Sequence, residues 1–468
     1  MKSFDLIIIG GGAGAFAAAI RANEHKANTA MINTGLPLGG TCVNVGCVPS
    51  KRLLRVGEIM HLARKHGFPG LEMDVKKFDF PTLIKDELDL VSRLRKEKYE
   101  KVLRRLESVG FIEGHARFIS KNEVVVNEEI LQADKIIIAT GSKAKVPSIE
   151  GIIEAGFVTH IEALKMQKLP ESFIIIGAGP VSIEFAQMFS RFGSKVTIVK
   201  RSPGLLRFAE PELTRRLEQI LVAEGVDIIT IEAFICARRE NGKKVLAISV
   251  DGREVEVDSD EILLATGKTP NTENLALELA GVLVDEKQAI VVNEIFQTSQ
   301  PHILAVGDVI NLPTRQEPTA GREGTLAVEN ALGGGTKHSI DYDSVPFTVF
   351  TDPQLAGVGL TEEEQMKRMG TCNCRTVSFE NVPRAIIMNR TEGLIKMVIH
   401  PSTDQILGVH ILAPDAGELI AEAMILVKNK NTVEDVINSL PMFPTLSESI
   451  KLVALSFKKD ISSLSCCV

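Results

Sequence analysis

Two cysteines five residues apart, Cys42 and Cys47, stand in the stretch GGTCVNVGCVPSK, residues 39–51. Thiols at this spacing can ligate a metal, form a structural bridge or act as a redox pair, and the motif alone leaves all three open. A second pair, Cys466 and Cys467, is adjacent in the tail KDISSLSCCV. Exposed vicinal thiols oxidise readily, and a terminal segment is suited to picking up a soft ion and delivering it. Two thiolates suit a soft ion of low coordination number; zinc would ask for four N or S ligands. Cys372 and Cys374 form a CxC between predicted elements and read as incidental surface thiols. Cys236, in the strand-like IEAFICA, reads as buried packing.

The elements that must position these thiols announce themselves by their glycines. FDLIII (4–9) is a short Ile-rich run, as a strand buried on both faces of a parallel sheet requires. It leads into Gly10, Gly12, Gly14 and Ala15 and then the helical AFAAAIRA, the strand–turn–helix frame of a dinucleotide fingerprint. There a pyrophosphate approaches the backbone and the helix N-terminus offers free N–H groups. The signal repeats at FIII (173–176), followed by Gly177, Gly179 and Ser182, the helix IEFAQMFSRFG and the strand KVTIV. Two correctly framed turns predict two nucleotide sites.

The residue ending the second strand of each unit selects the nucleotide. In the first unit it is Asn33, an amide that can still bond ribose hydroxyls, so a dinucleotide such as FAD fits without the usual carboxylate. In the second, Lys200 and Arg201 end the strand and Arg207 follows. Cations there favour a 2′-phosphate through charge-assisted bonds, hence NADPH over NADH. IIIATGSKAKVP (136–147), ILLATGKTPNT (262–272) and HILAVGDV (302–309) are further strand endings. Apolar positions at helical spacing predict a long polar helix over roughly 82–109. After about residue 345, VPFTVFTDPQLAGVG, GLIKMVIH and ILGVHILA read as an antiparallel sheet, with AGELIAEAMILVKN and TVEDVINSL as helices.

Composition sets the frame. A chain of 468 residues predicts two to four domains. Hydrophobic content of 44% and a mean hydropathy of +0.12 describe a globular protein. No run approaches the roughly 18 apolar residues of a membrane span. The opening MKSFDLIIIGGG is too short for a signal peptide and runs straight into a glycine turn. A net charge of −7 argues against nucleic acid or an anionic membrane as partner. Seven cysteines in a long, unsignalled chain do not make a disulfide scaffold. The cytoplasm is the default compartment, where a cysteine pair is catalytic or metal-binding.

In order along the chain, GGGAG, GGTCVNVGCVPSK, ATGS, GAGPVSIE, ATGKTPN and AVGD resemble the motifs of the flavin-dependent (class I) pyridine nucleotide–disulfide oxidoreductases. The resemblance spans the whole chain. Within that family the vicinal-cysteine tail, with VPRA, GLIKMVIH, APDAGELI and SIKLVALSFKKD, is similar to the mercuric reductase branch. The resemblance implies an α/β fold with two Rossmann-like domains, for FAD and NADPH, and a C-terminal α+β dimerisation domain. Its boundaries would be 1–150 with 270–345 for FAD, 151–269 for NADPH, and 346–468 for the interface of a homodimer.

Site roles follow from the same resemblance. Cys47 would lie against the flavin and Cys42 would be the interchange thiol, with Lys51 and Glu184 a pair beside flavin N5. Asp308 would meet the ribityl chain. Gly40, Thr41, Ala116, Thr140, Gly141 and Glu317 would complete the FAD site, and Gly267 the NADPH site. Tyr99 matches an active-site tyrosine of mercuric reductases, with a core-facing helix aromatic as its alternative. Cys42, Cys47, Cys466 and Cys467 would be the metal-handling thiols.

Three departures stand out. Disulfide-reducing members carry a His-Pro motif whose histidine donates a proton; here the stretch is PMFPTLSES, Phe443 takes that position, and no histidine follows His410. General acid catalysis contributes about 10²–10⁴-fold, so glutathione and lipoamide are poor candidates. The tyrosine that mercuric reductases usually carry there is absent too. Many mercuric reductases also carry an N-terminal metal-chaperone domain with a CxxC motif, whereas this chain begins directly at the first strand. The expected reaction is NADPH + Hg(II) → NADP⁺ + H⁺ + Hg(0). A disulfide reductase and a non-catalytic thiol metal-binding protein are the alternatives.

Overall fold

The computed structural model describes residues 2–463 and Ser465. Cys466 and Cys467, expected to handle metal, lie outside the described residues.

Strand Lys2–Ile9 is central to a seven-stranded sheet. It pairs in parallel with Thr29–Asn33 on one side and Glu129–Ile138 on the other; Val109–Glu113 lies beyond Thr29–Asn33, and Ile303–Ala305 pairs with the far end of Glu129–Ile138. Two short antiparallel strands, Glu123–Val126 and Arg117–Phe118, complete it. Successive side chains face opposite ways along a strand, and here both ways are covered. Ile7, Ile9, Ile32, Ile136 and Ile138 share one core, while Leu6, Ile8, Met31 and Ile137 pack with Ala15, Phe16, Ala18 and Ala19 of the helix Ala13–Glu24. That is why the strand reads as an unbroken apolar run. Each such side chain contributes about 1.5–3 kcal/mol on full burial.

The unit repeats. Ser172–Ile176 pairs in parallel with Lys195–Lys200 and Glu261–Leu264, with Asp227–Thr230 at the edge. An antiparallel meander, Ala233–Glu240, Lys243–Val250 and Arg253–Ser259, leads back to it. Cys236 sits beside a register shift in that meander and is half-buried, where the sequence suggested full burial. The third unit is a five-stranded antiparallel sheet in the order Phe347–Val349, Gln354–Gly359, Ile406–Ala413, Leu394–Ile399, Cys374–Ser378. Helices Ala416–Lys428 and Glu448–Leu455 bury apolar side chains in its core.

The helix expected over 82–109 is shorter and broken. It runs Phe80–Arg95, loosens into a π turn at Lys96–Glu100, and finishes at Lys101–Leu103. Residues 109–113 belong instead to a sheet-edge strand, because Thr29–Asn33 offers an open edge that the sequence pattern does not display.

A buried ionic cluster ties the second unit to the third. Arg191, only 5% exposed in its side chain, reaches Glu224 at 2.7 Å and Asp352 at 2.9 Å, and Arg390 also pairs with Asp352. The second glycine helix, Pro180–Phe192, carries Arg191, and Glu184 lies on the same face two turns earlier, so the cluster that anchors Arg191 also fixes the face Glu184 presents.

Candidate active site

Cys42 lies inside the short helix Gly40–Val45, and Cys47 opens the next, Cys47–Lys65, with Gly46 as the hinge between them. The turn brings two free thiols into hydrogen-bond contact, Cys42 donating to Cys47. That bond holds Cys47 down to about 7; Lys51, one turn along the helix, helps, while burial and Glu317 oppose it. The first turn of a 19-residue helix also favours an anion. The same bond pushes Cys42 far up, as do burial and the neighbouring charge on Cys47. The pair is therefore one thiolate and one thiol, poised for soft-ion binding or thiol exchange near neutrality.

Lys51 Nζ donates to Glu184 Oε2 at 2.7 Å and sits 4.7 Å from the centroid of Phe350. Glu184 Oε1 takes the Phe350 N–H at 2.8 Å. All three units thus meet behind the thiols. Sequence reasoning missed Phe350; its only signal was the apolar VPFTVF.

Tyr99 stands in the π turn, a feature frequent at functional sites. Its ring meets Phe16 edge-on, 4.9 Å between centroids, and a Cβ on Gly39 would lie 3.1 Å from it. Burial pushes its hydroxyl up to about 12, with the charges of Cys42, Glu317 and Cys47 adding to the effect. The ring is thus both packed and within electrostatic reach of the thiols. Its hydroxyl stays protonated there.

The glycine turns form two cradles of one design. Gly10 has φ 138° and Gly177 φ 142°, and a Cβ would stand 2.2 Å from the Ala139 carbonyl oxygen and 2.3 Å from that of Ala265. Each Ala-Thr-Gly turn thus closes on its own glycine loop. Gly12 and Gly179 cap their helices with no side chain, leaving the first N–H groups for an anion. These backbone cradles fit the diphosphates of a dinucleotide at both places.

Around the first cradle, Gly14 and Ala15 are buried in the helix, and Gly40 lies against Gly12. Thr41 precedes Cys42 in the helix Gly40–Val45. Thr140 and Asn271 exchange hydrogen bonds at 2.7 and 2.9 Å, and the Gly141 carbonyl takes the Asn271 N–H. Ser142 Oγ donates to Asp308 at 2.7 Å. Ala116 is buried beside the sheet. Glu317 opens the helix Glu317–Leu332 with its charge bearing on Cys42, Cys47 and Tyr99. Asn33 donates to the Leu36 carbonyl at 3.0 Å and lines a hollow of about 790 Å³. Glu113, its register partner on the next strand, lines the same hollow, so a carboxylate returns to this edge from an unforeseen quarter. Glu323 was also missed: it holds the Gly307 N–H at 2.6 Å and the Tyr342 hydroxyl at 2.8 Å, shaping the loop that carries Asp308. Burial raises its carboxyl to about 7.

At the second cradle, Ser182 is fully buried and donates to the Gly177 carbonyl at 2.8 Å, closing the turn from inside. The Gly267 carbonyl takes the Lys145 N–H, joining the two halves. Arg201 and Arg207 are exposed. Lys200 differs from expectation. Its side chain is 1% exposed, and Nζ is spent on the carbonyls of Ser202 and Pro203 at 3.2 Å each and on Thr230 Oγ1 at 2.8 Å. Strand alternation turns it inward, so it braces the loop, and Arg201 and Arg207 are the exposed cations at this strand end.

Two glycine-turn cradles fit for dinucleotides, with a cysteine pair beside a part-buried Lys–Glu pair, define a class. The family model described as pyridine nucleotide-disulphide oxidoreductase matches residues 4–331, and its dimerisation domain matches 345–454. The chain belongs to the pyridine nucleotide–disulphide oxidoreductase family, and membership carries the use of a flavin and a nicotinamide cofactor. Among relatives, it is 38% identical over 465 residues to the mercuric reductase of Lysinibacillus sphaericus, covering 99% of this chain and 84% of that protein. It is 38% identical over 466 residues to the mercuric reductase of Staphylococcus aureus, with the same coverage. A solved structure, the Cu(II) complex of the HOCl-induced flavoprotein disulfide reductase RclA from Escherichia coli, superposes with a TM-score of 0.87 at 28% identity, covering 98% of this chain and all of that one.

Proposed function

We propose that this chain is an NADPH-dependent mercuric reductase that takes Hg(II) to elemental Hg(0). The observation that carries the reading is the paired state of Cys42 and Cys47. A thiolate at Cys47 captures a soft cation first, and Cys42 closes the two-sulfur clamp as its proton leaves. FAD supplies the two-electron relay between nicotinamide and thiol site when bound. Gly10, Gly12, Gly14, Ala15, Asn33, Thr140, Gly141 and Asp308 would hold it, while Lys51 and Glu184 set the charge beside it. Gly177, Gly179, Arg201 and Arg207 would hold NADPH.

Residues 1–150 and 270–345 form the FAD domain in this reading, 151–269 the NADPH domain and 346–468 the interface domain. Leu440, Met442 and Phe443, exposed by 94%, 76% and 45%, give that last domain the apolar surface a homodimer needs. Among the described residues no helix is long and apolar enough to cross a membrane, and reduced thiols at the centre of the chemistry fit the cytoplasm. Phe443 stands where a disulfide reductase needs its proton donor, which disfavours that alternative.

One assay tests the reading. The purified protein should be yellow and should oxidise NADPH when mercuric ion is added, with glutathione disulfide and lipoamide as controls. Flavin-containing protein that leaves NADPH untouched in the presence of Hg(II) overturns it.

A further inference from the structure

The CxC that the sequence analysis set aside is not an isolated pair of surface thiols. Cys374 opens the edge strand Cys374–Ser378, Cys372 precedes it, and both are half-buried. The first residue of the helix Glu362–Met369 comes to meet them: Cys372 Sγ lies 3.5 Å from Glu362 Oε1. The ligand atoms of Cys372, Cys374 and Glu362 all lie within 4.8 Å of one another. At a metal–sulfur bond of about 2.3 Å, a tetrahedral ion needs two sulfurs roughly 3.8 Å apart and a linear one roughly 4.6 Å. Both fit inside that spacing.

The surroundings hold the cluster in place. Asn373, between the thiols, gives its N–H to Gln365 Oε1 at 3.1 Å and its carbonyl to the Ile399 N–H at 2.9 Å. Thr361 and Glu364 close a capping box around Glu362. Charge favours a cation. Lys396 Nζ, buried, faces Glu362 at 2.5 Å, Glu210 at 3.2 Å and Glu212 at 3.4 Å, so one ammonium stands against three carboxylates. Glu362 spends Oε2 on Lys396 and leaves Oε1 for the thiol side.

We propose that Cys372, Cys374 and Glu362 form a second metal site, which binds one thiophilic d¹⁰ dication, Zn(II) or Hg(II), through two thiolates and one carboxylate oxygen. Two thiol protons leave to solvent on binding and no electron is transferred. Glu210 and Glu212 come from the start of the helix Pro211–Ala223, so the ion would sit at the joint between the second unit and the C-terminal sheet. None of these residues takes part in the flavin-side site, and the proposal does not rest on the mercury reaction.

The test uses full-length protein with Cys42, Cys47, Cys466 and Cys467 all changed to Ala. Equilibrium dialysis against Zn(II), and separately against Hg(II) buffered with excess glutathione, should leave one equivalent of either ion. Excess glutathione strips the lone Cys236, since only a chelating pair gains from effective concentration. Adding Cys372→Ser/Cys374→Ser should abolish retention, and Glu362→Gln should weaken it by roughly tenfold or more, the scale on which groups around a metal act. Retained flavin colour confirms that each variant folds. No retained ion, or an equivalent that survives the serine pair, overturns the site. Hg(II) held without Zn(II) would overturn the carboxylate's part in it.

Discussion

Lys51 and Glu184 are 133 positions apart in the chain and 2.7 Å apart in the fold. Lys51 rides the helix that Cys47 opens, and Glu184 rides the second glycine helix. Phe350 of the third unit closes over both. The pair couples the nucleotide halves and places a positive charge one turn from the thiolate.

That placement predicts a titration. Lys51 and the Cys42 hydrogen bond both keep Cys47 ionised, so thiolate is present above about pH 7 and lost as pH falls through it. Lys51→Met should move the midpoint of the long-wavelength thiolate–flavin absorbance upward. Glu184, 5% exposed in its side chain, also loses a charge-assisted bond of roughly 1.5–3 kcal/mol, reduced by solvent at the half-exposed lysine. The melting temperature should fall accordingly. An unmoved midpoint would show that Lys51 does not act on the thiol.

Cys42→Ala and Cys47→Ala should each abolish mercury-dependent NADPH oxidation and leave FAD bound, because the cradle is built from glycine turns. Only Cys47→Ala should erase the thiolate–flavin absorbance outright; Cys42→Ala should shift it to higher pH through loss of the S–H donor. Turnover by either variant would remove the two-thiol clamp.

The basic residues of the second cradle should separate by role. Arg201→Ala/Arg207→Ala should raise the KM for NADPH at least tenfold relative to NADH, since each charge-assisted bond is worth about 1.5–3 kcal/mol. Lys200→Ala should instead lower stability and leave the cofactor preference near wild type, because its ammonium is bonded inward. Steady-state kinetics with both cofactors and a thermal melt distinguish the two.

Phe443 predicts poor reduction of glutathione disulfide by the wild type, as no imidazole or carboxyl replaces the missing donor at that position. Phe443→His alone should raise it only slightly. Brisk wild-type glutathione reduction would sink the mercury assignment.

Cys466→Ala/Cys467→Ala should impair turnover of Hg(II) presented as its bulky bis-glutathione complex more than turnover of mercuric bromide. Mixed dimers of this variant with Cys42→Ala/Cys47→Ala should regain activity through one composite site. Verified heterodimers without rescue would show that the tail does not serve the partner subunit.

The sequence alone determined what is local. Glycine turns between a strand and a helix, an apolar run covered on two faces, and two cysteines in one turn are each set by neighbours a few residues away. So the paired cradles and the Cys42–Cys47 motif were legible from spacing. The tertiary structure decided whatever depends on residues far apart in the chain. Lys200 and Arg201 are adjacent cations in sequence, and only strand alternation with Thr230 across the sheet turns one inward. Which thiol carries the charge depends on the direction of one hydrogen bond and on Lys51. Tyr99 comes within electrostatic reach of the thiols from a π turn that helical spacing does not predict. Cys372 and Cys374 looked incidental because Glu362, Glu210 and Lys396 approach from three other elements, and no local pattern records an approach of that kind.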